Sequence, residues 1–306
     1  MGVGAGRAGG RVVTRLPGGT PWGRPVDALR RVVVASSRYK PEAHEVARLI
    51  ANAFAEHVPR VDLDLEGVRT VVEDDAPADL VVTVGGDGTL LATARLLNGR
   101  PGPVLGVNLG KLGFLAAFGA EEVLAYARGH DVGRWRSLVV PLLSVGVRGE
   151  PERVALNDVT VSQGVMTRLI HFRLSVDGVP AATYRADGVV VSTPIGSTAY
   201  SLSLGGPILM PDLRAIVVTP VAPQALANRP IVLSEHARLR LTVEGRVDEL
   251  ALVLDGQERV DLASGDAIDL ALGPDMVRLV PEGYDPFAVL RHKLRWSEGP
   301  TLEPGW

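Results

Sequence analysis

No cysteine occurs among the 306 residues. Disulfides, thiolate nucleophiles and cysteine-ligated metals are therefore excluded, and a cysteine-free chain fits a reducing compartment. No apolar run approaches the roughly 18 residues of a membrane span. The opening stretch, MGVGAGRAGGRVVTRLPGGTPWGRP, has glycine, arginine and proline but no apolar centre, so it does not read as a secretory signal. Neither sign of charge dominates: the formal net charge is −3. That gives no reason to expect a nucleic-acid or membrane partner. The six histidines, at 44, 57, 130, 171, 236 and 292, show no metal-ligand spacing. No internal repeat is found. A cytoplasmic globular enzyme is the expectation.

Hydrophobic residues make up 46% of the chain, enough for a sizeable core, and the length suggests two domains. The first half reads as a Rossmann-like α/β domain. Val32-Val33-Val34, Leu80 to Val84 and Val104 to Val107 are short, continuous apolar strands. Helical patterns follow them, after Pro41, over Leu90 to Leu97 and near Glu121 to Arg128. Continuous strands alternating with helices predict a parallel sheet covered on both faces. Beyond about residue 135 the pattern alternates. Phe172, Leu174 and Val176 end in Asp177-Gly178, a hairpin signal. Leu239, Leu241 and Val243, then Ile268, Leu270 and Leu272, repeat that texture. An all-β C-terminal domain, a β-sandwich, is expected. The predicted organisation is a disordered tail over 1–27, the α/β domain over 28–134 plus 282–306, and the sandwich over 135–281.

Gly85-Gly86-Asp87-Gly88-Thr89 joins a buried strand to a helix. Ligands of open α/β sheets bind at the carboxyl ends of strands. Glycines there let backbone N–H groups approach phosphate oxygens, and the helix start adds positive potential. A carboxylate is a poor phosphate ligand. Asp87 suits a base for an attacking hydroxyl or a magnesium-linked group; a tight turn capped by aspartate is the bland alternative. Two familiar phosphate motifs are absent. Leu91 stands where the dinucleotide fingerprint needs glycine, and Gly106 to Lys111 is one residue short of a P-loop. Lys111 and Arg185 are candidate counter-charges for phosphate, or ordinary surface cations.

GGDGT resembles the signature shared by NAD kinases, diacylglycerol-type lipid kinases and, more distantly, phosphofructokinases. Three further blocks are similar to NAD kinases in particular. They are Gly106 to Leu115 (GVNLGKLGFL), Asp187 to Tyr200 (DGVVVSTPIGSTAY) running on to Ile208, and Asn228 to Val232 (NRPIV). The resemblance covers roughly residues 31–296. It implies phosphoryl transfer from ATP or polyphosphate to the ribose of NAD, with Asp87 as base and Gly85, Gly86, Gly88 and Thr89 on phosphate. It further implies NAD binding by Asn157, Asp158, Asp187, Thr198, Ala199, Tyr200, Ser203, Ala222 and Gln257, with NAD lying between the two domains. Tyr200 has a ring that can stack on adenine; a core tyrosine in a Gly/Ser/Thr turn is the alternative. Magnesium is implied as a divalent cofactor carried on donor oxygens rather than in a protein cage. A homodimer or homotetramer is implied, with no nucleic acid and no membrane.

Three positions depart from the family pattern. Asp158 replaces a glutamate whose reach is about 1.5 Å longer. Ile195 stands in a loop position usually held by threonine or serine. Gln224 replaces a frequent histidine and does not titrate near neutrality. These departures keep a non-catalytic NAD or NADP sensor, beside a lipid kinase, as the rival readings.

Overall fold

The computed structural model describes residues 20–66, 76–110, 113–131, 135–163, 169–244 and 249–295. The first half contains β1 (Thr20–Trp22), β2 (Arg31–Ser36), α1 (Pro41–Ala55), β3 (Arg60–Asp64) and β4 (Leu80–Val84). Next come α2 (Asp87–Leu97), β5 (Val104–Asn108), β6 (Phe118–Gly119) and α3 (Ala120–Ala127). Strands β3, β2, β4 and β5 lie side by side and parallel. Successive side chains of a strand point to opposite faces. Val32 and Val34 accordingly pack with Ile50 and Phe54 of α1 and Val123 of α3. Val33 and Ala35 pack with Leu90, Leu91 and Ala94 of α2. Both faces are covered, which is why the inner strands β2, β4 and β5 are mostly apolar.

The second half contains β7 (Trp135–Val147), β8 (Arg153–Ala155), β9 (Asp158–Gln163), β10 (Ile170–Val176), β11 (Val179–Ala186) and β12 (Gly188–Ser192). After the short helix α4 (Tyr200–Ser203) follow β13 (Ala215–Val221), β14 (Ile231–Ser234), β15 (Leu239–Glu244) and β16 (Leu250–Leu254). β17 (Glu258–Asp261), β18 (Ala267–Val280) and α5 (Pro286–Leu294) complete the chain. Six antiparallel strands form one sheet in the order β14-β13-β12-β9-β16-β17. Val159, Val161, Val189 and Val191 of that sheet share a core with Phe172, Leu174, Leu241 and Leu270 of the facing sheet. This is the expected sandwich. In the β10–β11 hairpin, Asp177 and Gly178 have φ of +52° and +78°, the left-handed pair that a tight turn demands.

The halves join through backbone hydrogen bonds. Strand β18 pairs with β15 and β7 along its length, and near its end Arg278 pairs with Val104 of β5 in parallel. One twelve-stranded sheet thus runs through both halves. The expected divisions at 134/135 and 281/282 fall at the start of β7 and the end of β18.

Two features differ from the sequence reading. Residues 20–27 were expected in the tail, but Thr20–Trp22 pairs with residues 135–137. Trp22 stacks on Trp135, with centroids 5.5 Å apart and planes 7° from parallel, and Val26 is buried. A lone tryptophan among glycines and prolines carries no periodic signal, yet it has a large apolar area to bury. Residues 1–19 of that tail lie outside the described residues. Strand β3 was missed because it alternates charged and apolar residues. It is the edge of the parallel sheet, and Asp62 on it receives Arg31 Nε at 2.8 Å.

Candidate functional site

Strand β4 delivers the chain to Gly85 and Gly86, which have φ of +148° and +130°. Other residues rarely adopt such values. A Cβ on Gly85 would meet Thr89 Oγ1 at 2.6 Å and Ser37 Cβ at 2.8 Å. The glycine therefore lets the turn close against the β2–α1 connection. Helix α2 begins at Asp87 itself, earlier than the expected Leu90, which puts the acid in the first helical turn. The turn lines a cavity of about 690 Å³ together with Ser37, Lys40, Arg95 and Gln257. Lys40 Nζ donates to the Gly85 carbonyl at 3.0 Å. The helix N-terminus and Lys40 favour an anion here, while the charge of Arg95 is taken up by Asp255.

The Asp87 carboxylate is half-buried and held by a neighbouring turn. Oδ1 accepts the Leu115 and Ala116 N–H groups at 3.0 and 2.9 Å, and Oδ2 accepts the Phe114 N–H at 2.8 Å. A Cβ on Gly113 would lie 2.0 Å from Oδ1, so that position must stay side-chain-free. The same turn is gripped from behind. Arg278, only 1% exposed, donates to the Phe114 carbonyl at 3.0 Å and to the Leu115 carbonyl at 3.0 and 2.6 Å. Oδ2 takes one amide where Oδ1 takes two, and a carboxylate oxygen accepts about two hydrogen bonds. Chemically, Oδ2 has room for one more donor, such as a substrate hydroxyl.

The second acid sits at the start of β9. Asp158 is buried. Burial and the neighbouring Asp255 carboxylate push its carboxyl up to about 7, against the Tyr200 backbone N–H, which favours the ion. The loop over 193–198 wraps this turn. Thr193 donates its N–H to the Asn157 carbonyl at 2.9 Å and its hydroxyl to the Leu156 carbonyl at 2.5 Å. Ser197 donates to the Pro194 carbonyl at 2.6 Å and accepts the Leu209 N–H at 2.9 Å. Both hydroxyls are thus spent on holding the loop. Thr198 and Ala199 are half-buried, while Tyr200 (42% exposed) and Ser203 are open to solvent. A core position for Tyr200 is excluded. Ile195 is buried with Leu90, Leu115 and Leu156. It packs the seam between the halves, where a hydroxyl would need a partner.

The predicted NAD-binding residues fall into three places. Asn157, Asp158, Thr198, Ala199, Tyr200 and Ser203 gather at one end of β12, where Ser192 pairs with Asp158. Asp187 and Ala222 meet at the other end, where the Asp187 N–H donates to Val221 O at 3.0 Å. Five residues of strand separate the two ends, about 16 Å. Gln257 belongs to the phosphate turn, its Nε2 donating to the Gly88 carbonyl at 3.0 Å. Arg185 is exposed on β11, its carbonyl accepting the Gln224 N–H at 2.8 Å, and Lys111 lies outside the described residues. Sequence reasoning missed Arg95, Arg278 and Asp255. Asp255-Gly256 is a legible turn signal, but nothing local announces where the carboxylate goes.

A carboxylate set in a glycine turn at a strand's end, beside a β-sandwich carrying a second buried acid, defines a phosphotransferase acting on a hydroxyl. Residues 31–129 match the family model of the ATP-NAD kinase N-terminal domain, and residues 156–282 that of the ATP-NAD kinase C-terminal domain. The NAD kinase of Gemmatimonas aurantiaca is 43% identical over 242 residues, covering 77% of this chain and 83% of that protein. A crystal structure of an NAD kinase from Archaeoglobus fulgidus in complex with ATP is 27% identical, with a TM-score of 0.67 over 87% of this chain and 98% of its own. Yeast NADH kinase complexed with NADH shares the fold, with a TM-score of 0.78 over 94% of each chain at 24% identity. The chain belongs to the NAD kinase family, which removes the lipid-kinase reading.

Proposed function

We propose that this enzyme phosphorylates the 2′-hydroxyl of the adenosine ribose of NAD, with ATP as donor and polyphosphate as the alternative donor. The observation that carries the reading is the Asp87 carboxylate, fixed by three amides with one acceptor site left, inside the cavity lined by the glycine turn. Asp158, Asn157, Thr198, Ala199, Tyr200 and Ser203 hold the adenosine end, with Asp158 accepting ribose hydroxyls. Asp187 and Ala222 serve the far end of the dinucleotide. Gly85, Gly86, Gly88 and Thr89 receive donor phosphate. The 2′-oxygen bonds to the γ-phosphorus as its proton passes to Asp87 Oδ2. The bond from that phosphorus to the bridging oxygen breaks, and ADP leaves with the electron pair.

Among the described residues, no three histidines or carboxylates converge as ligands for a metal. The cavity wall does offer oxygens of Asp87, Thr89, Glu66 and Glu258. That donor set fits a magnesium ion carried on the phosphates, where it neutralises charge. The cytoplasm is the compartment we assign. A homodimer or homotetramer is supported by exposed Ile231 and Val232 on the edge strand β14.

The test is NADP formation from NAD and magnesium with ATP or with polyphosphate, read by an NADP-specific dehydrogenase. Silence with both donors overturns the reading and leaves the sensor. The pH profile tests Asp158. Its acid form is the stable one in the empty pocket below about 7, and only the ion accepts two ribose hydroxyls. NAD affinity should therefore fall about tenfold per unit as pH drops below 7, and level off above it. The linkage for folding has the opposite sign. Because the carboxyl holds its proton more tightly folded than unfolded, stability declines as pH rises from about 4 towards 7. A KM for NAD that is flat between pH 6 and 8 would remove Asp158 from the ribose.

A further inference from the structure

Strand β16 ends in the turn Asp255-Gly256-Gln257, and the Asp255 side chain has no solvent exposure. Its two oxygens collect four donors. Oδ1 accepts the N–H groups of Asn157 and Asp158 at 2.7 and 3.2 Å; Oδ2 accepts the Leu156 N–H at 3.2 Å and Arg95 Nη1 at 2.7 Å. Those are about all the lone pairs a carboxylate has. In return the Asp255 N–H donates to the Asp158 carbonyl at 2.8 Å. Arg95, on α2, also grips Gln257 Oε1 at 2.5 Å, and Gln257 donates to Gly88. A continuous polar chain therefore runs from the phosphate turn through Gln257, Arg95 and Asp255 to residues 156–158.

The halves do not need this chain in order to adhere. Leu90, Leu115, Leu156 and Ile195 already bury an apolar seam, and a buried ion pair is weak evidence for stability. Apolar contact has no direction. A charge-assisted pair in fixed geometry does, so what the chain adds is register.

We propose that Asp255 is a positioning residue for phosphoryl transfer: with Arg95 and Gln257 it sets the Asn157–Asp158 turn, which meets the acceptor, in register with the glycine turn, which meets the donor. This rests on the donor and acceptor assignments above. It predicts a split between binding and turnover. Each half still offers its own contacts when the link is cut, but the hydroxyl and the phosphorus are misaligned, and a displacement of about 1 Å costs about a hundredfold in rate.

The experiment compares Asp255→Asn, Arg95→Met, Arg95→Lys and the Asp255→Asn/Arg95→Met double variant in the full-length protein. Steady-state kinetics in NAD and in ATP are measured, with calorimetric NAD titration to count competent sites. Asp255→Asn and Arg95→Met should each lose about a hundredfold in kcat per competent site, with both KM values within about threefold. Arg95→Lys keeps the charge but not the fork, and should recover about tenfold of that loss. The double variant should lose no more than either single one, because the two residues act as a unit. Turnover of Asp255→Asn within about threefold of wild type, losses that multiply, or a rate that falls only with the number of competent sites would each overturn the proposal. If Asp255→Asn does not fold, a wild-type kcat in Arg95→Met overturns it alone. Asp158→Ala separates the levels. Unchanged NAD affinity there removes the acceptor assignment and the proposal with it. Lost affinity there, beside a normal kcat in Asp255→Asn, removes the proposal only.

Discussion

Replacing Asp87 with asparagine is expected to lower kcat by about a thousandfold, with KM for NAD changed only a few-fold. A positioned general base contributes about 10² to 10⁴ in rate, and three decades correspond to about 4 kcal/mol of barrier. The amide cannot take the proton at all. It also cannot satisfy the cradle. Both carboxylate oxygens accept N–H groups from the 113–116 turn, so whichever way the asparagine side chain is flipped, its NH₂ faces a donor. One backbone amide goes unpaired if the NH₂ takes the Oδ2 position and two if it takes the Oδ1 position, at a cost of about 1–3 kcal/mol each in stability. Two effects are therefore superimposed, and a second variant divides them. Gly113→Ala keeps the carboxylate but sets a methyl 2.0 Å from Oδ1, displacing a chemically intact base. If Asp87 is the proton acceptor, Asp87→Asn stays inactive at every pH, while Gly113→Ala retains turnover reduced by misplacement. Calorimetric NAD binding should survive in both. Turnover of Asp87→Asn within tenfold of wild type would strike Asp87 from the chemistry.

The legible parts of this molecule are those whose cause lies within a few residues. A buried strand, two glycines, an acid and a helix are contiguous from Leu80 to Leu97, and the structure builds them in that order, with the helix starting three residues early at Asp87. The hairpin at Asp177-Gly178 is local in the same way. What escaped is set by partners far away in sequence. Arg95 meets Asp255 across 160 residues, and Arg278 meets Leu115 across 163. Neither arginine differs, in its own neighbourhood, from a surface cation. Asp158 was legible as an acid, but its raised titration is not a property of Asn157-Asp158. It arises from burial under the 193–198 loop and from Asp255, 97 residues on. Ile195 shows the converse. As a departure from the family pattern it reads as a lost polar contact, and only packing reveals it as part of the seam. The start of β18, Ile268 to Leu272, was legible by its alternation, but β7 and the continuation of β18 escaped because pairing between remote segments, rather than periodicity, makes them one sheet with the parallel half.

Gly196→Ala should be the most damaging change outside the phosphate turn, and it should damage one substrate. An added Cβ would lie 1.9 Å from the Asn157 carbonyl oxygen, 2.3 Å from its carbon and 2.6 Å from Asn157 Cα. All three are backbone atoms with little freedom. The Asn157 carbonyl is held by Thr193, and its N–H by Asp255 at 2.7 Å. Overpacking a tight core costs about 1–3 kcal/mol, and separating these walls also strains the hydrogen bonds that join them. The melting temperature should drop by several degrees, at about 2–4 °C per kcal/mol for a domain of this size. Both walls that moved, the Asp158 turn and the Thr198–Tyr200 segment, are assigned to the adenosine of NAD. Affinity for NAD should fall about a hundredfold, the equivalent of about 2.7 kcal/mol. The phosphate turn is untouched, so KM for ATP should hold. Gly119→Ala is the control, with nothing within 4 Å of its added Cβ and φ of −80°; it should be silent. Should Gly196→Ala raise both KM values together, the wall it moves is common to donor and acceptor, and the division of the cleft into two sides fails.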